Sequence, residues 1–499
     1  MRELYEPSEA MSTLVSRSTP LIAKILIAVT AATCLWLSFR CAHARLLMPF
    51  EIDYEEGNVL NSGLRIVQGQ ALYPLPGTFP YILNPYGPIG YFVSALGIKV
   101  FGLGLFGPRF FVYFAGLAVV VLIAFLTKNF GGRWDAGALS ALSYLCLPLV
   151  SYWLPLLRVD FWAVFLSLLG LYVFSRFPSA WPVAALIFAL AILTKQTAIA
   201  APAAVFLELL AQKRFVRAFG LAGIISGTVV ACMATLGPGF VFAFLKTHPD
   251  PYSFRHAFQS GLAAVHGCML ILALIGYAII FGFRWTQQSR LACFYVLLCS
   301  LSALSAGKLG SNMNHFLEWT AAICIIGGLA LSELLRRGDG VAKPFALGLL
   351  TLATVFALMS LRNFGVVGPD GKGCGDAYAF VRSFPGERVM SDDVSSLVLG
   401  HKIVLVSNPF VMTQLGNSVV WQAGSVEQLA QQQYFDLIVL GGTLESFIPA
   451  SGGSSPELIQ TIGKRYVPYK YFQCAYSKVA FVPIGESALP AQGSSAVHR

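Results

Sequence analysis

Charge is what this chain of 499 residues has least of: Asp, Glu, Lys and Arg together make up 12% of it, against 56% hydrophobic residues. An ordinary soluble domain carries roughly twice that share of charge, so a solvated surface over the whole length is excluded. Metal-ligand patterns are missing as well. No Cys or His pair has zinc spacing, and His248, His256, His266, His315 and His401 are scattered as loop or surface residues. Nor is there a continuous basic face. The net charge of +10 comes from short basic connections, which points to membrane topology and anionic lipid and away from nucleic acid. No internal repeat is visible.

Long apolar runs are abundant. Mean hydropathy is +0.68, and runs of about 18 to 22 residues match the length needed to cross a hydrocarbon core roughly 30 Å thick. The chain therefore reads as an α-helical polytopic membrane protein. Residues 1–20 are a polar N-terminal segment whose Arg2 and Arg17 favour the cytoplasm, and 21–39 is the first span. Ala42-His43-Ala44 has the form of a signal-peptidase site, but the apolar region before it is longer than a usual signal core. Further spans are expected at 109–126, 136–154, 161–174, 181–193, 198–210, 219–236, 261–283, 291–306, 316–335 and 345–361, about eleven in all. The basic turns at Lys128 and Arg133, at Lys213, Arg214 and Arg217, at Arg284 and Arg290, and at Arg336, Arg337 and Lys343 then face the cytoplasm. Arg158, Lys195, Lys246, Arg255 and Lys308 fall at the outer ends, against that bias, and need another reason to be there.

Between the first two spans, residues 40–108 form an outer loop that Pro and Gly break into short interfacial helices and turns. Its apolar stretch 91–106 carries Lys99 among aromatics and is expected to lie in the interface. The same loop holds Asp53, Glu55 and Glu56, three acids within four residues. At the edge of a bilayer such a cluster is costly unless hydrated or used. It is either a helix start, with Asp53 as N-cap and the glutamates favouring the dipole, or the catalytic edge of a membrane enzyme.

Beyond residue 361 polar residues return. Short β-rich runs at 388–391, 402–406, 437–440 and 478–482 alternate with helical patterns at 425–433 and 456–464, which predicts a small α/β domain over 362–485, extracytoplasmic by the odd span count. Residues 486–499 read as disordered. Seven of the ten cysteines sit in apolar runs as small core residues, while Cys374 and Cys474 lie in the tail and could form one disulfide. The tail shows no acid-plus-cation set resembling that of the membrane half, so it is expected to shape acceptor access rather than catalysis.

An ordered set of short motifs carries a resemblance over nearly the whole chain: Asp53-Tyr54-Glu55-Glu56-Gly57, Gly69-Gln70-Ala71-Leu72-Tyr73, Tyr86-Gly87-Pro88-Ile89-Gly90-Tyr91, Arg158-Val159-Asp160, Lys195-Gln196-Thr197, Lys308-Leu309-Gly310-Ser311-Asn312 and His315-Phe316-Leu317-Glu318. In this order they resemble bacterial GT-C membrane glycosyltransferases, nearest to the branch of protein O-mannosyltransferases and lipid A aminoarabinose transferases. The tail, from Ser391-Asp392-Asp393 through Asn408-Pro409-Phe410 to Phe435-Asp436-Leu437, is similar to the outer domain of bacterial members. The resemblance implies a GT-C fold, 21–361, with the small α/β domain behind it. It implies an inverting hexosyl or pentosyl transfer from a polyprenyl-phosphate sugar to a lipid, glycan or protein hydroxyl on the outer face of the inner membrane. Asp53 and Glu56 match the family's catalytic acids, whereas Glu55 matches nothing. Arg158, Lys195 and Lys308 become donor-phosphate ligands, and Tyr86, Asp160, Asn312, His315 and Glu318 substrate contacts. One departure stands out: relatives often carry Lys-Pro-Pro where this chain has Asn84-Pro85-Tyr86-Gly87-Pro88, so phosphate binding must move to the other cations.

Structural roles compete for the same residues. Arg158 and Asp160 could simply pair, Lys195 could snorkel to the interface, and Lys308 with Asn312, Asn314 and Glu318 could form a structural hydrogen-bond cluster. No ligand spacing implies a divalent metal, and no cofactor is certain. The rival function is a transporter or lipid flippase, whose polar residues would gather near the midplane on broken helices.

Overall fold

A computed structural model describes residues 28–247, 251–281, 286–337, 369–412, 425–441 and 455–485, apart from positions 30, 34, 41, 309, 409–410 and 474–476, together with isolated positions between 344 and 355. In chain order the helices are α1 Glu55–Val67, α2 Pro88–Phe101, α3 Phe106–Asn129, α4 Trp134–Cys146, α5 Pro148–Trp153, α6 Asp160–Arg176, α7 Trp181–Ile192, α8 Ala200–Ala211, α9 Phe215–Lys246, α10 Phe254–Ile280, α11 Gln287–Ala303, α12 Leu317–Arg337, α13 Pro369–Ser383, α14 Val394–Leu399, α15 Ser425–Gln431 and α16 Pro456–Arg465. Strands β1 Val389–Ser391, β2 Leu437–Gly441, β3 Tyr466–Phe472 and β4 Lys478–Pro483 complete the set. The expected class, a helical multi-pass membrane protein with a small C-terminal sheet, is found.

The chain packs as two units. The first comprises residues 1–47, 112–230 and 251–366, the second 48–111, 231–250 and 367–499. The outer loop 48–111 thus groups with residues 231–250 and with the tail in the second unit.

In the first unit α12 is buried on every side from Trp319 to Ser332 and packed on α4, α10 and α11. A helix apolar all round is an interior one. Among the described residues five helical segments, Phe106–Asn129, Phe215–Lys246, Phe254–Ile280, Ser289–Gly307 and Met313–Arg337, are long and apolar enough to cross a membrane. The expected span at 136–154 is broken into α4 and α5, because Pro148 follows an extended Leu147 and cannot continue the α4 ladder. The expected span at 219–236 lies inside α9, whose helical path breaks at Gly237 (φ +76) ahead of Pro238. The expected span at 345–361 falls mostly outside the described residues, and the one at 21–39 does so as far as residue 27.

In the second unit α1 packs on α2 and on α14. At 14 residues α2 is roughly 21 Å long by helical rise, short of a hydrocarbon core. The sheet order is β1-β2-β4-β3, with β1 parallel to β2 and the other pairs antiparallel, in register through Val389↔Leu437, Ile438↔Phe481 and Val467↔Val482. Its apolar face packs with Phe435, Leu458 and Ile462, and also with Leu83 of the loop and Phe242 of α9. The strand expected at 402–406 is not one. Val406 makes a single bridge, to Tyr81, and the run is otherwise irregular. β3 was hidden because Pro468 and Lys470 interrupt the apolar pattern, as an exposed edge strand allows.

Candidate active site

Among the described residues each unit buries a cluster of ionisable side chains. In the second unit the loop from Met48 to Glu56 is held by Arg109, in the first turn of α3. Its Nε donates to Glu56 Oε1 at 2.7 Å and Nη2 to Glu56 Oε2 at 2.8 Å, with both side chains fully buried. The remaining guanidinium hydrogens reach backward along the loop, to the Met48 carbonyl at 2.7 Å and the Phe50 carbonyl at 2.9 Å. Glu56 Oε2 also accepts from the backbone amides of Ile52, at 2.6 Å, and Asp53, at 3.3 Å. Both carboxylate oxygens of Glu56 are therefore occupied in a bidentate, charge-assisted pair that fixes the loop. A carboxylate so engaged fixes the backbone next to Asp53.

Asp53 itself is 8% exposed. Its Oδ1 accepts from the Glu55 amide at 3.3 Å and its carbonyl accepts from the Glu56 amide at 3.0 Å, so the side chain helps to open α1. The expected N-cap is nevertheless corrected by one residue: Tyr54 occupies it without a side-chain cap, while Glu55 and Glu56 do stand in the first turn. On either side of Asp53, Glu51 Oε2 accepts from the amides of Gly57 and Ser395, and Glu55 Oε2 accepts from Asn58 and Asn408 side-chain amides. Burial, and then the nearby Asp393, push the Glu51 carboxyl well above the usual carboxylate range. Although burial alone would lower the Lys478 ammonium, Asp392 and Asp393 hold it above its ordinary value, at 3.2 and 3.8 Å. The tail therefore contains an acid-plus-cation set of its own, two carboxylates about one ammonium. Tyr86 contributes backbone: its carbonyl accepts from the Tyr73 hydroxyl at 2.8 Å and its amide donates to the Tyr91 hydroxyl at 3.3 Å.

In the first unit Asp160 opens α6 and Lys195 follows α7. Their side chains meet, with Lys195 Nζ donating to Asp160 Oδ1 at 2.5 Å. The Asn314 side-chain amide donates to the same oxygen at 2.9 Å, and Arg158 Nε stands 3.5 Å from Asp160 Oδ2 with its guanidinium over the Trp153 ring. The expected pairing of Arg158 with Asp160 is present, and Lys195 is turned inward to the same carboxylate. Asp160, Lys195, Asn314, His315 and Glu318 all line one cavity of about 30 Å³, room for a water or two but not for a sugar as it stands. His315 Nδ1 lies 2.8 Å from the Ser305 hydroxyl, and the Tyr295 hydroxyl donates to Glu318 at 3.1 Å.

The motif residues do not all converge. Asn312 is exposed and uses its side chain to cap the 3-10 turn Met313–Phe316, accepting from the Met313 amide at 2.7 Å. Lys308 pairs its backbone with Tyr252 and does not line the cavity. Sequence reasoning placed Asn314 in the polar turn but not among the substrate contacts, because two Asn two positions apart at a turn look alike until the chain direction is known. It passed over Arg109, although a cation heading an apolar run signals a buried partner. Among the described residues no group of three or more His, Cys, Asp or Glu side chains is arranged to hold a metal ion. Cys374 is disulfide-bonded, while Cys474, its expected partner, lies outside the described residues.

Residues 84–238 match the sequence model of the dolichyl-phosphate-mannose-protein mannosyltransferase family. Among curated protein sequences none matches. The fold is similar to that of ArnT from Cupriavidus metallidurans, crystallised with undecaprenyl phosphate, at 16% identity and a TM-score of 0.60 over 93% of this chain and 99% of that one. It is also similar to the oligosaccharyltransferase of Archaeoglobus fulgidus, crystallised with zinc and sulfate, at 14% identity and a TM-score of 0.55 over 92% of this chain and 73% of that one.

Proposed function

We propose, from the premise that this multi-pass membrane chain has the GT-C glycosyltransferase fold, that it transfers a sugar from a polyprenyl-phosphate donor to an acceptor hydroxyl. The observation that carries the reading is the Lys195–Asp160 pair on the cavity wall. One donor of the Lys195 ammonium is taken by Asp160 at 2.5 Å, and an ammonium has three. A phosphate arriving at that wall meets a desolvated cation already oriented by a carboxylate, with Arg158 braced beside it. The Cupriavidus ArnT, a structural relative, was crystallised with undecaprenyl phosphate, which supports the same lipid class here.

In the proposed reaction the acceptor oxygen attacks the anomeric carbon while the bond from that carbon to the phosphate oxygen breaks. The lipid phosphate leaves with the bonding electrons and is stabilised by Lys195 and Arg158, and Asp53 takes the acceptor proton. Attack opposite the leaving group inverts the anomeric centre. Asp160 and Asn314 orient Lys195, and His315 and Glu318 are proposed to contact substrate. Glu56 acts with Arg109 to set the Asp53 backbone. The proposed location is the inner membrane with chemistry on its outer face, and the disulfide at Cys374 supports an oxidising compartment for the tail. The test is an assay of the purified protein in lipid with undecaprenyl-phosphate-linked sugars, scoring donor cleavage and product anomer. Facilitated lipid movement between leaflets without donor cleavage would replace this reading with that of a flippase.

A further inference from the structure

We propose that the C-terminal region is a positioning element for the acid-bearing loop, and not only a module that shapes acceptor access; the inference rests on the reading of Asp53 as proton acceptor. Glu51 and Glu55 stand two residues to either side of Asp53, and the tail holds both. The amide of Ser395, at the start of α14, donates to Glu51 Oε2 at 3.3 Å. The Asn408 side-chain amide donates to Glu55 Oε2 at 3.3 Å. Between these two holds the tail lies along the loop like a short strand. The Tyr81 amide donates to the Leu405 carbonyl at 2.8 Å, the Ser407 amide to the Tyr81 carbonyl at 3.0 Å, and the Leu83 amide to the Ser407 hydroxyl at 2.8 Å.

Gly57 shows how close this approach is. A Cβ at that position would lie 2.4 Å from the Ser395 amide nitrogen and 2.4 Å from Glu51 Oε2. Only a residue without a side chain lets α1 and α14 share the Glu51 carboxylate, which also accepts from the Gly57 amide at 3.1 Å. The hold continues into the sheet. Asp393 caps α14, accepting from the Ser396 amide at 3.1 Å and the Ser395 hydroxyl at 2.8 Å, and Lys478 of β4 stands 3.8 Å from the same carboxylate. A run of contacts thus leads from β4 through the start of α14 to Glu51, and a second leads from Asn408 to Glu55. Glu55, which matches no family motif, acquires a role by this route: it is where the tail grips the loop. Reacting groups displaced by about 1 Å can lose roughly a hundredfold in rate, so a hold of this kind acts on turnover and not on donor capture by the cavity of the other unit.

The test measures donor binding, kcat and melting temperature on the full-length protein in lipid for Asn408→Ala, Lys478→Met, Lys478→Arg and Asp53→Asn. The expected result for Asn408→Ala is a loss of roughly 10- to 100-fold in kcat with donor affinity within about twofold of the parent. Lys478→Met should lose kcat likewise, and Lys478→Arg, which keeps the charge, should recover most of it. Should Lys478→Met fail to fold, Asn408→Ala carries the test alone, since it removes one side-chain bond and no charge. Unchanged kcat in a folded Asn408→Ala, with Asp53→Asn inactive, would overturn the positioning role and leave the base reading standing. Equal losses in donor affinity and kcat would overturn it also, as general disorder. Near-normal turnover in Asp53→Asn would remove the base reading and the positioning role together.

Discussion

The acid loop and the membrane cavity are built from the same kinds of side chain and are held in opposite ways. In the loop the acids are tied by neutral donors and one guanidinium: backbone amides at Glu51, Asn58 and Asn408 at Glu55, and Arg109 at Glu56. In the cavity a single carboxylate, Asp160, gathers Lys195, Arg158 and Asn314. The first arrangement spends its polar groups on fixing a backbone, and the second orients a cation on a cavity wall. The difference teaches that the richest cluster of charges in a sequence need not be the richest in chemistry. Of the three acids that draw attention in the loop, Glu56 is committed to Arg109 and Glu55 to the tail, and Asp53 is the one proposed to take a proton.

That comparison can be broken most sharply at Asp53. Asp53→Asn keeps size and hydrogen bonding but removes proton acceptance, and the expected fall in kcat is roughly 10² to 10⁴ with donor affinity nearly unchanged. A parent-like rate in a single-turnover assay would dissolve the contrast between a catalytic Asp53 and its structural neighbours. Next comes the Arg109–Glu56 pair. Arg109→Met strands a buried carboxylate and should cost about 3 to 5 kcal/mol, whereas Arg109→Met combined with Glu56→Leu should cost much less, because neither charge is then left alone. Thermal unfolding of the two variants measures this, and equal losses would mean that Glu56 has work beyond pairing.

A smaller effect is expected at the cavity. Lys195→Ala removes a charge-assisted donor, so donor affinity should weaken roughly 10- to 100-fold, and kcat should fall with it. Isothermal titration with undecaprenyl phosphate would sharpen the comparison if Asp53→Asn binds like the parent and Lys195→Ala does not. The smallest effect is a pH dependence of stability. The Glu51 carboxyl is raised in the folded protein, so the fold binds more protons than the unfolded chain in the interval between the ordinary glutamate value, about 4.3, and the raised one. Its contribution is fully present below the ordinary value and is lost as pH rises through the raised value. Glu51→Gln should flatten that decline in melting temperature, and a slope unchanged by the substitution would place the titration elsewhere.

Much of this was legible in the chain. Apolar run length located most of the helices that build the first unit, since 3.6-residue geometry and bilayer thickness leave little choice for a long apolar segment. The motif order picked out Asp53, Asp160, Lys195, His315 and Glu318. Illegible were the residues whose role lies in a partner far along the chain. Arg109 read as the first residue of a span, Gly57 as the end of a motif, Asn408 as a tail dipeptide, and Lys478 as the polar start of a strand. Each acquires its meaning across a gap of tens to hundreds of residues that no local period encodes.

By itself, then, the sequence determined a polytopic helical chain with a small sheet at its end, because burial of backbone and apolar surface in a bilayer is dictated locally, residue by residue. The tertiary structure alone decided which unit the outer loop joins, which acid Arg109 claims, and which Asn stands in the cavity. The physical reason is that a buried charge must find its partner in space, and sequence spacing does not measure distance once the chain has folded.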